Sequence, residues 1–171
     1  MNCVAPCLLV ASPLLLDPNF LHTVVLMVEH SEAGAMGIVL NRPLPVFVAQ
    51  ICEEGGIEYN GAPEAPAFYG GPVEPGRGTL LVRGGLPGKG DTVLDFTDFV
   101  SYRRDLLESL AKDPESSYRL FLGYSGWGPG QLEAELRQQA WIRASLEPDL
   151  LFVDEAPTLW KKVIKALMEQ E

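Results

Sequence analysis

The sequence predicts an α+β protein, and three observations carry that prediction. Short runs rich in Val and Leu, bounded by turn residues, crowd the first half of the 171-residue chain. In the second half, amphipathic helical patterns alternate with further strand-like runs. This irregular order differs from the steady strand–helix alternation of a doubly wound parallel sheet. At 171 residues the chain is long enough for one compact core and short of the length at which chains usually split. We therefore expect a single domain over residues 1–171, with residues 1–6 as a disordered tail.

The elements follow in order. "CLLVAS" (7–12) and "TVVLMVEH" (23–30) read as strands, separated by "PLLLDPNFLH", where Pro13 and Pro18 forbid a continuing ladder. "MGIVLN" (36–41) follows the five-residue connection "SEAGA", a length suited to a hairpin. The stretch from Arg42 to Pro45 breaks this strand with two prolines, and "VFVAQICEEGG" (46–56) suits a short helix. Val48, Ile51 and Cys52 share one face of that helix, and Gly55 stops it. Residues 53–76 are irregular, rich in Gly, Pro and Glu, yet too apolar at Phe68 and Tyr69 for a disordered linker.

"GTLLVRG" (78–84) and "DTVLDF" (91–96) are expected strands around the turn "GLPGKG". A helix is expected over 97–113, with Phe99, Tyr102, Leu106 and Leu110 at three- and four-residue steps and Pro114 at its end. "YRLFLGYS" (118–125) is expected as a strand, followed by a glycine-rich turn and a helix through "GQLEAELRQQAWI" (130–142). "DLLFVD" (149–154) reads as a short buried strand. In the closing helix "PTLWKKVIKALM" (157–168), Leu159, Val163, Ile164 and Leu167 form one stripe, and Pro157 stands near the first turn.

Composition narrows the function. No stretch reaches the roughly 20 apolar residues a spanning helix needs. The N-terminus has no basic n-region and is interrupted by Pro6 and Pro13, so we expect no signal peptide, no membrane association and a cytoplasmic location. The net charge of −10 argues against direct nucleic-acid binding, which relies on clustered Lys and Arg. The densest basic pairs, Arg103–Arg104 and Lys161–Lys162, lie on expected helix surfaces. Three cysteines are too few and oddly numbered for a disulfide framework. If residues 3–7 are extended, Cys3 and Cys7 stand roughly 13 Å apart, beyond the reach of a disulfide. We expect inert or surface thiols at Cys3, Cys7 and Cys52, and no metal site or cofactor, since His22 and His30 lie well apart.

The glycine stretch "LFLGYSGWGPGQLEAEL" (120–136) invites three chemistries and departs from each by a nameable residue. A Walker A loop needs Lys and Ser/Thr where Pro129 and Gly130 stand. A dinucleotide fingerprint needs G-x-G-x-x-G, whereas Gly126, Gly128 and Gly130 give G-x-G-x-G. A nucleophile elbow begins at Gly123-Tyr124-Ser125 but meets Trp127 where a small residue belongs, and no histidine follows His30. As a plain strand-to-helix connection the stretch needs little more: positive φ at Gly126 or Gly128, Pro129 in the first helical turn, and an exposed Glu133–Arg137 pair. Trp127 is then either a hydrophobic plug or an exposed binding platform.

"GYSGWGPGQLEAEL" followed by Trp141 closely resembles the hallmark of the bacterial YqgE/AlgH family. "LLVASPLLLDPNFLHTVVLMVEHSEAGAMGIVLNRPL" is similar to that family's N-terminal block. "FYGGPV" (68–73) is similar to its central glycine turn, and "DLLFVDEAPTLWKKVIKALM" to its C-terminal block. The resemblance runs in order over residues 7–168 and implies one α+β domain with a bifurcated, partly barrel-like sheet flanked by helices. It implies no specific activity. Some members carry a transcriptional-regulator label through a link to alginate production, and the acidic charge here points to an indirect role at most.

The family-like turns supply the candidate polar groups, and we assign none of them a catalytic role. Arg42 can grip a carboxylate or phosphate, or pair with a surface acid beside a turn eased by Asn41. His30 suits acid–base work or a carbonyl hydrogen bond. Ser125 is a nucleophile if His30 reaches it, or a hydroxyl that serves the turn. With Trp127 these residues frame the leading expectation, a non-enzymatic binding or indirect regulatory module that takes a small anion or a protein partner on the glycine-turn face. The alternatives are a hydrolase using Ser125 with His30 and a direct transcriptional regulator.

Overall fold

A computed structural model describes residues 5–94 and 97–169. The expectations for Cys3, for residues 1–4 of the tail and for residues 95–96 of the strand 91–96 lie outside the described residues. Ten strands form one mostly antiparallel sheet. β1 (Cys7–Ala11), β2 (Val24–Ser31) and β3 (Gly34–Val39) lie side by side, and β10 (Trp141–Ala144) flanks β1 on its outer side. β3 pairs with the C-terminal end of β9 (Ser117–Trp127), which pairs in turn with β6 (Val73–Arg83). Beyond β6 come β8 (Asp98–Ser101) and β7 (Thr92–Val93).

The sheet forks at β9. One edge of β9 carries β6, while the other is shared between β3 and β5 (Pro66–Tyr69), the latter lying parallel to β9. β4 (Pro43–Phe47) completes the side branch by pairing with β5. The sheet is bifurcated but not closed into a barrel, since β10 and β7 remain as its two ends.

Two cores use opposite faces of the shared strands. Phe121 and Trp127 of β9, Leu81 of β6 and Val100 of β8 enter the larger core, which is covered by α3 (Gln131–Arg137) and α5 (Leu159–Glu169) through Leu132, Leu159, Trp160 and Val163. Their sequence neighbours Leu120, Leu80, Val82 and Phe99 enter the smaller core beneath α1 (Val48–Glu54) and α2 (Arg104–Lys112). Alternation of side chains along each strand divides the residues between the two faces.

Several sequence expectations need correcting. The glycine-rich turn starts later than expected: β9 continues through Gly126 to Trp127 with its side chains at 121, 125 and 127 buried, and only residues 128–130 turn the chain into α3. Positive φ falls at Gly123 and Gly130 rather than at Gly126 or Gly128, and Gly130 caps α3. Residues 98–101 form buried strand β8 instead of the first turn of a helix, because Asp98 is held by two hydrogen bonds from Arg83 and all four residues lie under cover. α3 ends at Arg137, and a left-handed Gln139 (φ 63°) turns the chain so that Trp141 starts an edge strand. The expected strand 149–154 is instead a single helical turn, α4 (Pro148–Leu151), with Pro148 in its first positions. Arg42–Pro45 does interrupt the third strand, which ends at Val39, but a separate edge strand β4 then begins with Pro43 and Pro45 exposed.

The fork rests on a close crossing of backbone. A Cβ on Gly70 would overlap the Gly123 carbonyl, one on Gly71 the Tyr124 carbonyl, and one on Gly123 the Gly71 carbonyl. Gly123 also has φ 76°. Gly130 has the same φ of 76° with nothing within 4 Å of its Cβ position. Gly130→Ala should therefore cost only the left-handed penalty, about 1–2 kcal/mol. Gly123→Ala adds a backbone overlap and should cost clearly more, about 3 kcal/mol or above. Urea unfolding of the two variants measures the difference.

Candidate functional site

Arg42 and Asn41 follow β3 and face the loop that joins β1 to β2. Asn41 is buried; its Oδ1 accepts the Val24 amide at 3.0 Å and its Nδ2 donates to the His22 carbonyl at 2.9 Å. Arg42 donates from Nη1 to the Asn19 carbonyl at 2.9 Å and from Nη2 to the Leu21 carbonyl at 2.8 Å. Its guanidinium carbon lies 5.7 Å from the centre of the Tyr69 ring. Burial pushes the Tyr69 phenol above its ordinary value, with Arg42 pulling it down and Asp17 pushing it up. The phenol therefore stays protonated at neutral pH, and it donates to Asn19 Oδ1 at 3.3 Å.

These groups border an open cleft of about 620 Å³ whose further walls include Leu44 and Pro157. Among the described residues no carboxylate comes within 4 Å of Arg42, so its charge is held by neutral carbonyls. Guanidinium offers five donors in a fixed fork, and two hydrogen bonds to carbonyls leave others for an incoming anion.

His30 and Trp127 belong to a different part of the sheet. Ala35 of β3 pairs with His30 on one side and Trp127 on the other, and α3 covers this row. The buried His30 ring places Nε2 3.5 Å from Glu133 Oε1, so Glu133 turns to His30 and not to Arg137. Trp127, 5% exposed, is a plug rather than a platform. Its Nε1 donates to Glu135 Oε1 at 3.0 Å, and the same oxygen accepts Nε1 of Trp141 at 3.0 Å. Gln131 donates to Glu135 Oε2 and accepts the Gly128 amide. The Phe20 ring completes the cluster, 6.0 Å from Trp127 and 5.5 Å from Trp141.

Ser125 is fully buried, and its hydroxyl donates to the Gly70 carbonyl at 3.1 Å. That carbonyl also accepts the Val39 amide, so Ser125 closes the fork where β5 leaves β9. Its proton is directed at a backbone carbonyl, an arrangement that positions strands and does not activate a nucleophile.

Of the five candidate residues, the fold brings together Arg42 with Asn41, and His30 with Trp127 through their shared row. It assigns Ser125 to the fork. Sequence reasoning missed the partners Glu135, Gln131, Phe20 and Tyr69. The i,i+4 spacing of Gln131 and Glu135 just after a buried indole was a readable signal. Cys52 is buried, and that burial pushes its thiol up while Arg104 pulls it down. Among the described residues no three His, Cys, Asp or Glu side chains gather as metal ligands would, and no helix is long and apolar enough to cross a membrane.

Comparison with known proteins gives one consistent result. An AlgH-like family model matches residues 8–170. A UPF0301 protein of Anaeromyxobacter dehalogenans is 39% identical over 176 residues, covering 96% of this chain and 88% of its own. One from Paracoccus denitrificans is 39% identical over 167 residues, with 94% and 87% covered. The solution structure of AlgH from Pseudomonas aeruginosa superposes with a TM-score of 0.80 at 34% identity, covering 98% of this chain and 89% of that one. A crystal structure from Corynebacterium diphtheriae, at 24% identity, 97% and 90% coverage and a TM-score of 0.77, shares the fold.

Removing the acceptor for two buried indoles should be costly. Glu135→Ala is expected to lose about 2–4 kcal/mol, while Glu135→Gln keeps an acceptor and should lose far less. Chemical denaturation followed by tryptophan fluorescence separates the two. Ser125→Ala should cost about 1 kcal/mol, a drop of roughly 2–4 °C in Tm, and leave the native circular dichroism spectrum unchanged.

Proposed function

The chain belongs to the AlgH-like family of bacterial UPF0301 proteins, and from that premise we propose that it is a non-enzymatic binding module. It works in the cytoplasm and takes a small anion at the Arg42 cleft. One observation carries this reading: a guanidinium fixed by two neutral carbonyls at the edge of an open cleft, with no carboxylate within 4 Å among the described residues. The protonated Tyr69 phenol beside it supplies a second donor once its O–H turns from Asn19 Oδ1, 3.3 Å away, to the ligand. A carboxylate or phosphate group matches both.

Binding there touches the loop 17–22, because Arg42 and Asn41 hold that loop by its carbonyls. Any regulatory output then passes through a protein partner that reads the loop. Direct contact with DNA plays no part in this reading, given the net charge of −10.

A thermal-shift titration tests the reading, beginning with inorganic phosphate and extending to phosphorylated and carboxylated metabolites. A ligand at 100 times its Kd should stabilise the wild type by about 2.7 kcal/mol. The shift should disappear in Arg42→Gln and weaken in Tyr69→Phe. An absence of any stabilising anion at millimolar concentration, or an equal shift in Arg42→Gln, overturns it.

A further inference from the structure

The smaller core is not sealed. β6 leaves the β9 ladder between Val73, opposite Tyr124, and Gly78, opposite Leu122. Five residue steps on β6 thus face two on β9, and the surplus chain bulges outward with Glu74 at φ 47°. The bulge exposes a pocket of about 280 Å³ between α1, α2 and the β6–β9 face. Ile51, Ile57, Leu107, Leu120 and Leu122 make its apolar walls. Two glycines, Gly76 and Gly78, edge it on the β6 side, and a Cβ at Gly76 would meet nothing within 4 Å.

The mouth carries two arginines with different commitments. Arg103 is fully engaged, donating to both oxygens of Asp91 at 2.9–3.1 Å and to Asp105 at 3.0 Å. Arg104 donates from Nη2 to the Gly55 carbonyl at 2.7 Å, and among the described residues no carboxylate lies within 4 Å of it. The start of α2 stands at the same mouth, and Asp105 in its first turn is tied to Arg103 rather than to Arg104. An apolar wall ending at a cation without an anion calls for a ligand of matching polarity.

We infer that this pocket binds a small amphipathic carboxylic acid, its hydrocarbon part among Ile51, Ile57, Leu107 and Leu122 and its carboxylate at Arg104. At about 30 Å³ per water, the volume corresponds to roughly nine waters, which suits a medium-length acyl chain or a single aryl ring. The site shares no lining residue with the Arg42 cleft and does not depend on it.

Octanoate and 1-octanol are the probes, titrated into the full chain with amide and methyl NMR. Octanoate should shift signals of Ile51, Ile57, Leu107 and Leu122, and should bind roughly fourfold tighter than heptanoate, as one buried methylene predicts. Arg104→Gln, at an exposed position, should weaken octanoate about five- to tenfold and leave octanol unchanged. Leu107→Trp, which fills the cavity, should weaken both; Ile57→Phe serves if that variant unfolds. Arg42→Gln should leave octanoate binding intact, and phosphate should not displace it, so failure of the Arg42 reading is distinguishable. The inference is overturned by no octanoate binding at millimolar concentration, by shifts confined elsewhere, or by equal losses for octanoate and octanol in Arg104→Gln.

Discussion

The fold depends on one close approach, where the Gly70–Gly71 backbone crosses Gly123. Only backbone without side chains can pass at that separation, and the crossing lets a single strand serve three neighbours. β9 meets β6 along one edge and passes its other edge from β5 to β3. Gly70 concentrates the joint: its amide donates to Leu122, and its carbonyl accepts both the Val39 amide and the Ser125 hydroxyl. The motifs "FYGGPV" and "GYSGW" are thus two halves of one structural object.

That object explains why the glycine stretch invited so many functional readings. Glycines set close together signal a tight backbone approach, and a phosphate, a nucleophile elbow and another strand each demand one. Here the approaching group is protein. The same holds for Trp127, whose indole finds its acceptor in Glu135 eight residues on, with Trp141 sharing the same oxygen. α3 is therefore fastened to β9 and β10 by one carboxylate, and the row beneath it, His30 included, lies under cover.

The α+β class, strands β1 to β3, helix α1 and the apolar stripe of α5 were all legible, because each has an uninterrupted pattern of its own period. Part of what sequence reasoning lost lies where two periods overlap; β5 and the first residues of β6, inside the stretch 53–76 read as irregular, were lost because Gly and Pro there leave too few apolar residues to show an alternation. Phe99, Tyr102, Leu106 and Leu110 fit a helix by spacing, yet Phe99 sits on β8, and only its pairing with Val82 and Val93 decides this. Residues 130–142 read as one helix because nothing local marks the left-handed Gln139 as a breaker. Among the site residues, Arg42 and Asn41 were found by type. Their partners were not, because the carbonyls of Asn19, Leu21 and His22 carry no side-chain signature.

The position of β1 has a consequence for how the chain comes to be folded in a cell. Leu8 pairs with Leu26 on one side and with Ala144 on the other. The first partner emerges almost at once during synthesis, whereas the second follows more than a hundred residues later. At roughly 5–20 residues per second, that edge waits several seconds or longer before β10 exists. Over that interval the nascent chain presents an unsealed strand of Leu8, Leu9, Val10 and Ala11, all fully buried in the finished protein. Sealing of this side of the sheet is thus delayed until residues 141–144 have been made, and until then β1 is an apolar strand with one open edge.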